Sequence, residues 1–195
     1  MHRPPRRMTQ LACLPSFLWL ACQPAAGARV QADLNSFQRD QSADRLLARG
    51  RAFAAVGDTT RAEEYLAAAL DAGGDEREIL PALLSVCVRD GRYRLAITYA
   101  ELGLRQRPDD QGLRLILATL YLALGEQEAA ERELSQVLRA AHEDANAHYA
   151  YALLMRDYKA NQVEASRHFR EYLRLAPSGP YASEARAGVR EEQAP

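Results

Sequence analysis

Apolar residues in the middle of the chain recur every three or four positions. Leu113, Ile116, Leu117, Leu120, Tyr121 and Leu124 lay a wide stripe along one helical face. A strand would have alternated, so the stretch predicts an α-helix. Leu134, Val137 and Leu138 repeat the pattern in a second helix, whose Glu131, Arg132, Glu133 and Arg139 fall mostly on the wet side. Between the two, Leu124-Gly125-Glu126 reads as a turn. Glycine tolerates the positive φ that ends a helix, and the acids that follow suit a helix N-terminus. Pro81 leaves two readings open: it is accommodated if its helix begins just before it, and it kinks the helix if Asp75 is the cap.

The helical pattern is periodic on a longer scale. Ala62/Leu70, Ala96/Leu104, Ala130/Leu138 and Ala165/Leu173 are the same pair of residues at intervals of 34, 34 and 35. Gly57, Gly91 and Gly125 keep the same beat, and Pro108 and Pro177 close two of the units. A 34-residue period with small residues, a mid-unit glycine and a terminal proline resembles the tetratricopeptide repeat (TPR). That resemblance implies an all-α fold, a right-handed solenoid of about four helix-turn-helix units (43–76, 77–110, 111–144 and 145–179) with residues 42–179 as the repeat domain.

Carried over position by position, the resemblance places Gly50, Leu84, Ala118 and Ala152 where first helices make close contact, with Phe53, Cys87, Tyr121 and Met155 three residues on. Leu84 departs from the small-residue pattern and implies looser packing of the first two units. The crossing position of the second helices holds Ala69, Gly103, Val137 and Tyr172, so the fourth unit departs as well. Its internal turn, Asp157 to Asn161, has one extra residue and no glycine. Terminal units of solenoids have only one neighbour to match.

After Pro177, Pro180 suits the first position of another helix, and Tyr181, Ala185 and Val189 share one face of it. Residues 180–195 therefore read as a capping helix and tail that cover the open apolar edge. At the other end, Arg3, Arg6 and Arg7 precede an apolar run from Leu11 to Ala21, too short to span a bilayer, which reads as a secretory signal. Two processing sites compete. Leu20-Ala21-Cys22 resembles a bacterial lipobox, which implies a signal over 1–21, a lipidated Cys22 and a tether over 22–41. Ala26-Gly27-Ala28 is an ordinary small-x-small site that would release a soluble chain starting at Arg29.

Composition narrows the chemistry. The 25 Lys+Arg balance 26 Asp+Glu, with no basic stripe beyond the N-terminal region, so nucleic acid is not the expected partner. Of the cysteines, Cys13 goes with the signal and Cys22 to lipid, which leaves Cys87 as a buried, inert thiol. No phosphate loop, nucleophile elbow or metal-ligand spacing is present. Glu164 and His168 lie one helical turn apart, which as two ligands make a poor metal site and read as surface pairing. The expectation is therefore a non-catalytic protein without cofactor, metal or small-molecule substrate.

TPR arrays bind partners along the groove lined by their first helices. The resemblance places Leu47 and Arg51, Ser85, Val88 and Arg89, Leu115, Ile116, Thr119 and Leu122, and Tyr149, Leu153 and Arg156 there. Leu47, Ala82 and Gly112 stand where chaperone-clamping domains present polar residues, so that activity is not implied. The apolar middle with dispersed arginines suits an amphipathic helix or an extended apolar segment of a protein partner. The alternative is that Leu115, Ile116 and Leu122 are buried by a neighbouring repeat or by the chain itself. Tyr149, an aromatic with a polar tip, is the foremost contact candidate. Together these readings give an adaptor or scaffold held by lipid on the periplasmic face of the outer membrane and assisting an envelope complex, pilotin-like or in pilus or secretin assembly. The alternative is a soluble periplasmic scaffold or accessory subunit, for instance in cytochrome maturation.

Overall fold

The computed structural model describes residues 42–192, within a compact unit spanning Asp40–Pro195. The signal-like run, Cys22, the Ala28 site and the tether lie outside the described residues. Among the described residues every regular element is helical: α1 (Ala43–Ala55), α2 (Thr59–Asp71), α3 (Glu76–Arg89), α4 (Tyr93–Gln106), α5 (Gln111–Ala123), α6 (Gln127–Ala140), α7 (Ala145–Leu153), α8 (Gln162–Leu175) and α9 (Ala182–Glu192). A single π-helical turn, Leu154–Tyr158, extends α7. Each helix packs chiefly on the next in sequence, the contact pattern of a solenoid.

Local chemistry sets the helix ends. The first helices of units two to four begin at Asp75, Asp110 and Asp144, whose carboxylates accept from the amides of Arg77, Leu113 and Ala147. This satisfies donors that a helix N-terminus otherwise leaves orphaned. Since Asp75 is the cap, Pro81 lies inside α3, and the carbonyl of Arg77 loses its i+4 amide partner. The helix nonetheless runs unbroken from Glu76 to Arg89 because Ile79, Leu80, Leu83 and Leu84 pin it to the core.

The turns within the first three units place Gly57, Gly91 and Gly125 at φ of 83°, 69° and 72°. In the fourth unit the extra residue is absorbed by the π-helical turn, and Ala160 takes the left-handed position at φ 50°. It is the one non-glycine residue with positive φ among those described. One additional residue in a helical ladder is what a π turn accommodates.

The core is built from paired volumes across each helix pair. A Cβ on Gly50 would lie 2.6 Å from Leu66 Cγ, so the two positions face each other directly. One and two periods on, the pair becomes Leu84 with Ala100 and Ala118 with Leu134; in the fourth unit it is Ala152 with Phe169, all buried. Leu84 is 3% exposed in a cluster with Ala96, Ala100, Leu113 and Leu117. The large side chain has changed helices while the small one moved opposite, so the volume is exchanged rather than added. That removes the reason to expect looser packing at Leu84.

The last apolar surface is covered by α9. Ala182 and Ala185 join Phe169, Tyr172 and Met155 in one cluster, and Val189 packs on its edge. Tyr172, fully buried, accepts the amide N–H of Tyr181 on its hydroxyl at 3.0 Å. A large residue fits at this crossing position because a single helix, rather than another repeat, lies over it.

Candidate protein-binding groove

A cleft of about 710 Å³ opens between α3 and α5 beneath the α4–α5 loop. Leu80, Pro81 and Leu84 come from α3, and Gly112, Leu113 and Ile116 from α5. The opening has a local cause. Pro81 is short and Gly112 has no side chain, so two first-helix positions leave space where longer residues would meet. Ile116 and, further along, Val88 keep 38% and 39% of their surface exposed, which leaves apolar contact area available.

Arginines stand near both ends of α3, one of them in the cleft. Arg77 lines the cleft, and among the described residues its guanidinium has no hydrogen bond or ion pair. Arg89, in the last turn, donates to the carbonyl of Ala54 at 3.0 Å and has no carboxylate partner among those residues. Arg107 on the loop is already matched, by Asp110 at 2.8 Å and Glu76 at 3.7 Å. The cleft itself thus offers one guanidinium without a carboxylate among the described residues, Arg77, on the same lining as the exposed Ile116, while Val88 and Arg89 lie outside that lining and Arg89 reaches toward Ala54 of α1.

The other expected groove residues divide by position. Arg51 is exposed and reaches the carbonyl and carboxylate of Glu78 at 3.4 and 3.6 Å. Ser85 and Thr119 are exposed, the latter bonding the carbonyl of Ile116 at 2.8 Å. Leu115 and Leu153 are half-buried against the C-terminal cluster. Leu47 and Leu122 are buried, and Tyr158 from the next unit donates to the Leu122 carbonyl at 2.9 Å.

Tyr149 is corrected most sharply. It is 9% exposed, stacks on Tyr181 at 4.2 Å between centroids, and donates its hydroxyl to Glu184 of α9. Burial, and then the hydrogen bond to Glu184, raise its pKa above the ordinary tyrosine value. Arg156 pairs with Asp157 at 2.6 Å and with Glu184 at 3.1 Å, and lies 5.5 Å from the ring of Phe169. Hydrogen bonding to Asp157 raises its pKa despite desolvation. Tyr149 and Arg156 therefore hold the cap, and this end of the first-helix surface is occupied by the chain's own α9. Arg77 and Pro81 were missed as groove elements because sequence position alone does not reveal a vacancy beside them.

Cys87 is fully buried, and desolvation pushes its thiol up to about 11, away from a reactive thiolate. Glu164 and His168 do pair, Oε1 to Nε2 at 3.4 Å, but not on the surface: His168 is 6% exposed, and its closest polar partner is His148 of α7. Among the described residues no group of three or more His, Cys, Asp and Glu is placed to hold a metal, and no helix is long and apolar enough to cross a membrane.

Comparison with known proteins places this architecture. Residues 88–154 match the tetratricopeptide repeat family. No curated protein matches the sequence significantly. Among solved structures, YrrB, described as a TPR protein with an unusual peptide-binding site, superposes with a TM-score of 0.64 at 18% identity, over 82% of this chain and 88% of that one. A tetratricopeptide repeat protein from Parabacteroides merdae gives 0.67 at 24% identity, over 78% of this chain and 60% of that one. MamA gives 0.64 at 18%, over 78% and 86%. At these identities the likeness is one of fold, and the fold is an all-α solenoid of the tetratricopeptide repeat type, with the family's sequence pattern matched over residues 88–154.

Proposed function

We propose that the chain is a non-catalytic adaptor that holds a segment of a protein partner in the cleft between α3 and α5. The observation carrying this reading is the cleft itself, about 710 Å³ between first helices, with Ile116 exposed and Arg77 unmatched by a carboxylate among the described residues. Apolar side chains of the partner would enter between Pro81 and Ile116, and an acidic group beside them would meet Arg77. A TPR-type neighbour with a peptide-binding site supports the class of partner.

The location proposed is the periplasmic face of the outer membrane, through lipid on Cys22, in support of an envelope assembly of the pilus or secretin kind. The lipobox-like Leu20-Ala21-Cys22 supports this reading. The small-x-small site at Ala28 supports the second, a soluble periplasmic scaffold or accessory subunit.

Co-purification from cells producing the full chain tests the groove. Ile116→Asp combined with Arg77→Glu should remove the captured partner while helical circular dichroism persists. Retention by that folded variant, with loss on changing Arg132 and Arg139 of α6 instead, would move the interface to the outer helices. Incorporation of labelled palmitate, abolished by Cys22→Ser, checks the anchor; an unmodified N-terminus at Arg29 selects the soluble alternative.

A further inference from the structure

The fourth unit contains a polar device that neither the repeat architecture nor the groove requires. His148 of α7 and His168 of α8 meet with their Nδ1 atoms 2.8 Å apart, and the imidazole centroids are separated by 5.0 Å. His148 Nε2 lies 3.0 Å from the carbonyl of His142, which can only accept, so this nitrogen carries a proton. In the neutral pair His148 Nδ1 is then bare and must accept, which makes His168 Nδ1 the donor. His168 Nε2 is left to accept from Arg167 Nη2 at 3.4 Å, and Arg167 also reaches Glu164 Oε1 at 2.5 Å. Every polar atom of the pair is satisfied in one assignment of protons.

A first added proton has a place. It lets His168 Nε2 donate toward Glu164 Oε1 at 3.4 Å while the two Nδ1 atoms still share a single hydrogen, held by either ring. A second has none, because it would put hydrogens on both Nδ1 atoms across a 2.8 Å gap. His148 is half-buried, but His168 is 6% exposed and its ring is 4.5 Å from that of Tyr151, so on the His168 side water replaces the lost bond only if the helices separate. The groups facing the pair from the packed elements are few. Glu164, Arg167 and Glu171 lie on α8 and Tyr151 on α7; Ser135 and Glu131 of α6 act on Tyr151. Glu164, at 3.4 Å, favours a positive charge on His168, and Glu171 is attracted to both imidazoles, while burial, His148 and Arg167 all oppose that charge.

We propose that the His148–His168 contact is an acid-sensitive lock between α7 and α8, so that acidification loosens the fourth unit and the cap docked on it while the first three units stay closed. The consequence is directional. The cap is held by Tyr149 of α7 and Arg156 of the π-helical turn that extends it, both through Glu184, so the groove end that α9 occupies opens when the lock fails.

Burial lowers the His168 pKa from 6.5 to about 4, so the unfolded unit binds protons that the folded one refuses throughout that interval. Stability attached to the lock is complete above pH 6.5 and falls as pH drops from 6.5 toward 4, by up to about tenfold in the opening equilibrium per pH unit.

Hydrogen exchange on the full chain, corrected for intrinsic rates, tests the lock between pH 7.5 and 4.5. Protection of Ala145–Leu175 should fall by more than tenfold with that of Ala43–Gln106 unchanged, and imidazole NMR signals should show one histidine of the pair still neutral below pH 5.5. His168→Asn, whose amide can turn either a donor or an acceptor toward His148, should flatten the pH dependence to less than threefold. Uniform loss along the chain, no loss, ordinary titration of both imidazoles, or a folded His168→Asn variant with unchanged pH dependence would each overturn the proposal. If that variant does not fold, the exchange map and titration of the native chain decide alone.

Discussion

Leu84 shows how a single side chain draws its meaning from the residue across from it. Small residues occupy its equivalents Gly50, Ala118 and Ala152, opposite Leu66, Leu134 and Phe169, whereas Leu84 lies opposite Ala100. Leu84→Ala would leave two small residues facing each other and should cost about 2–5 kcal/mol through the cavity formed. Ala100→Leu alone would crowd the same space and should cost about 1–3 kcal/mol. The double variant restores large against small with the helices reversed, as the other units have it, and should recover most of both losses. Urea titrations of the four proteins give the coupling directly, and strictly additive losses would show that the positions do not share one volume.

At the scale of an element, the join between α7 and α8 is where the fourth unit differs from its siblings. The π-helical turn Leu154–Tyr158 takes up the extra residue, Met155 and Leu154 remain buried, and Asn161 caps α8 by accepting from the amide of Glu164. Lys159 ties the turn back to the preceding unit through Glu131 at 3.1 Å. The strain is concentrated at Ala160, whose φ of 50° suits the glycine found in the other turns. Ala160→Gly should raise stability by about 0.5–1 kcal/mol, the relief at positive φ outweighing the chain entropy that glycine adds. Ala160→Val should lower it, because a β-branched residue fits that region worst. Thermal melts that rank valine above glycine would place the turn in another conformation.

For the whole molecule, the decisive boundary is the cap. A Cβ on Gly188 would come within 2.5 Å of a ring carbon of Phe169, so α9 lies on that ring through a residue without a side chain. Gly188→Ala should lift the helix, lower the melting temperature and increase binding of a hydrophobic dye. Truncation before Pro180 should do more, since Phe169 and Tyr172, now fully buried, would face water. A truncated chain that melts with the full-length protein and binds no dye would mean that the cap is dispensable. The same boundary limits the binding surface: α9 covers the C-terminal end, and the open strip lies between α3 and α5.

The repeat is legible in the order of the residues. Apolar spacing at three and four residues, glycines at the intra-repeat turns and small residues at crossings are local or strictly periodic demands, and such demands are visible one residue at a time. The helices, the turns at Gly57, Gly91 and Gly125 and a last helix carrying Ala185 and Val189 followed from them, whereas Tyr181 lies just before that helix and stays 42% exposed. Tertiary structure alone decided which face of each residue is free. Tyr149 occupies a groove position by register yet is covered by α9; Ile116 occupies another and is exposed because Pro81 and Gly112 leave space beside it. His148 and His168, 20 residues apart on separate helices, become a contact only when α7 and α8 pack. Exposure, vacancy and pairing between helices depend on what stands opposite, and that partner is chosen by packing rather than by any local pattern.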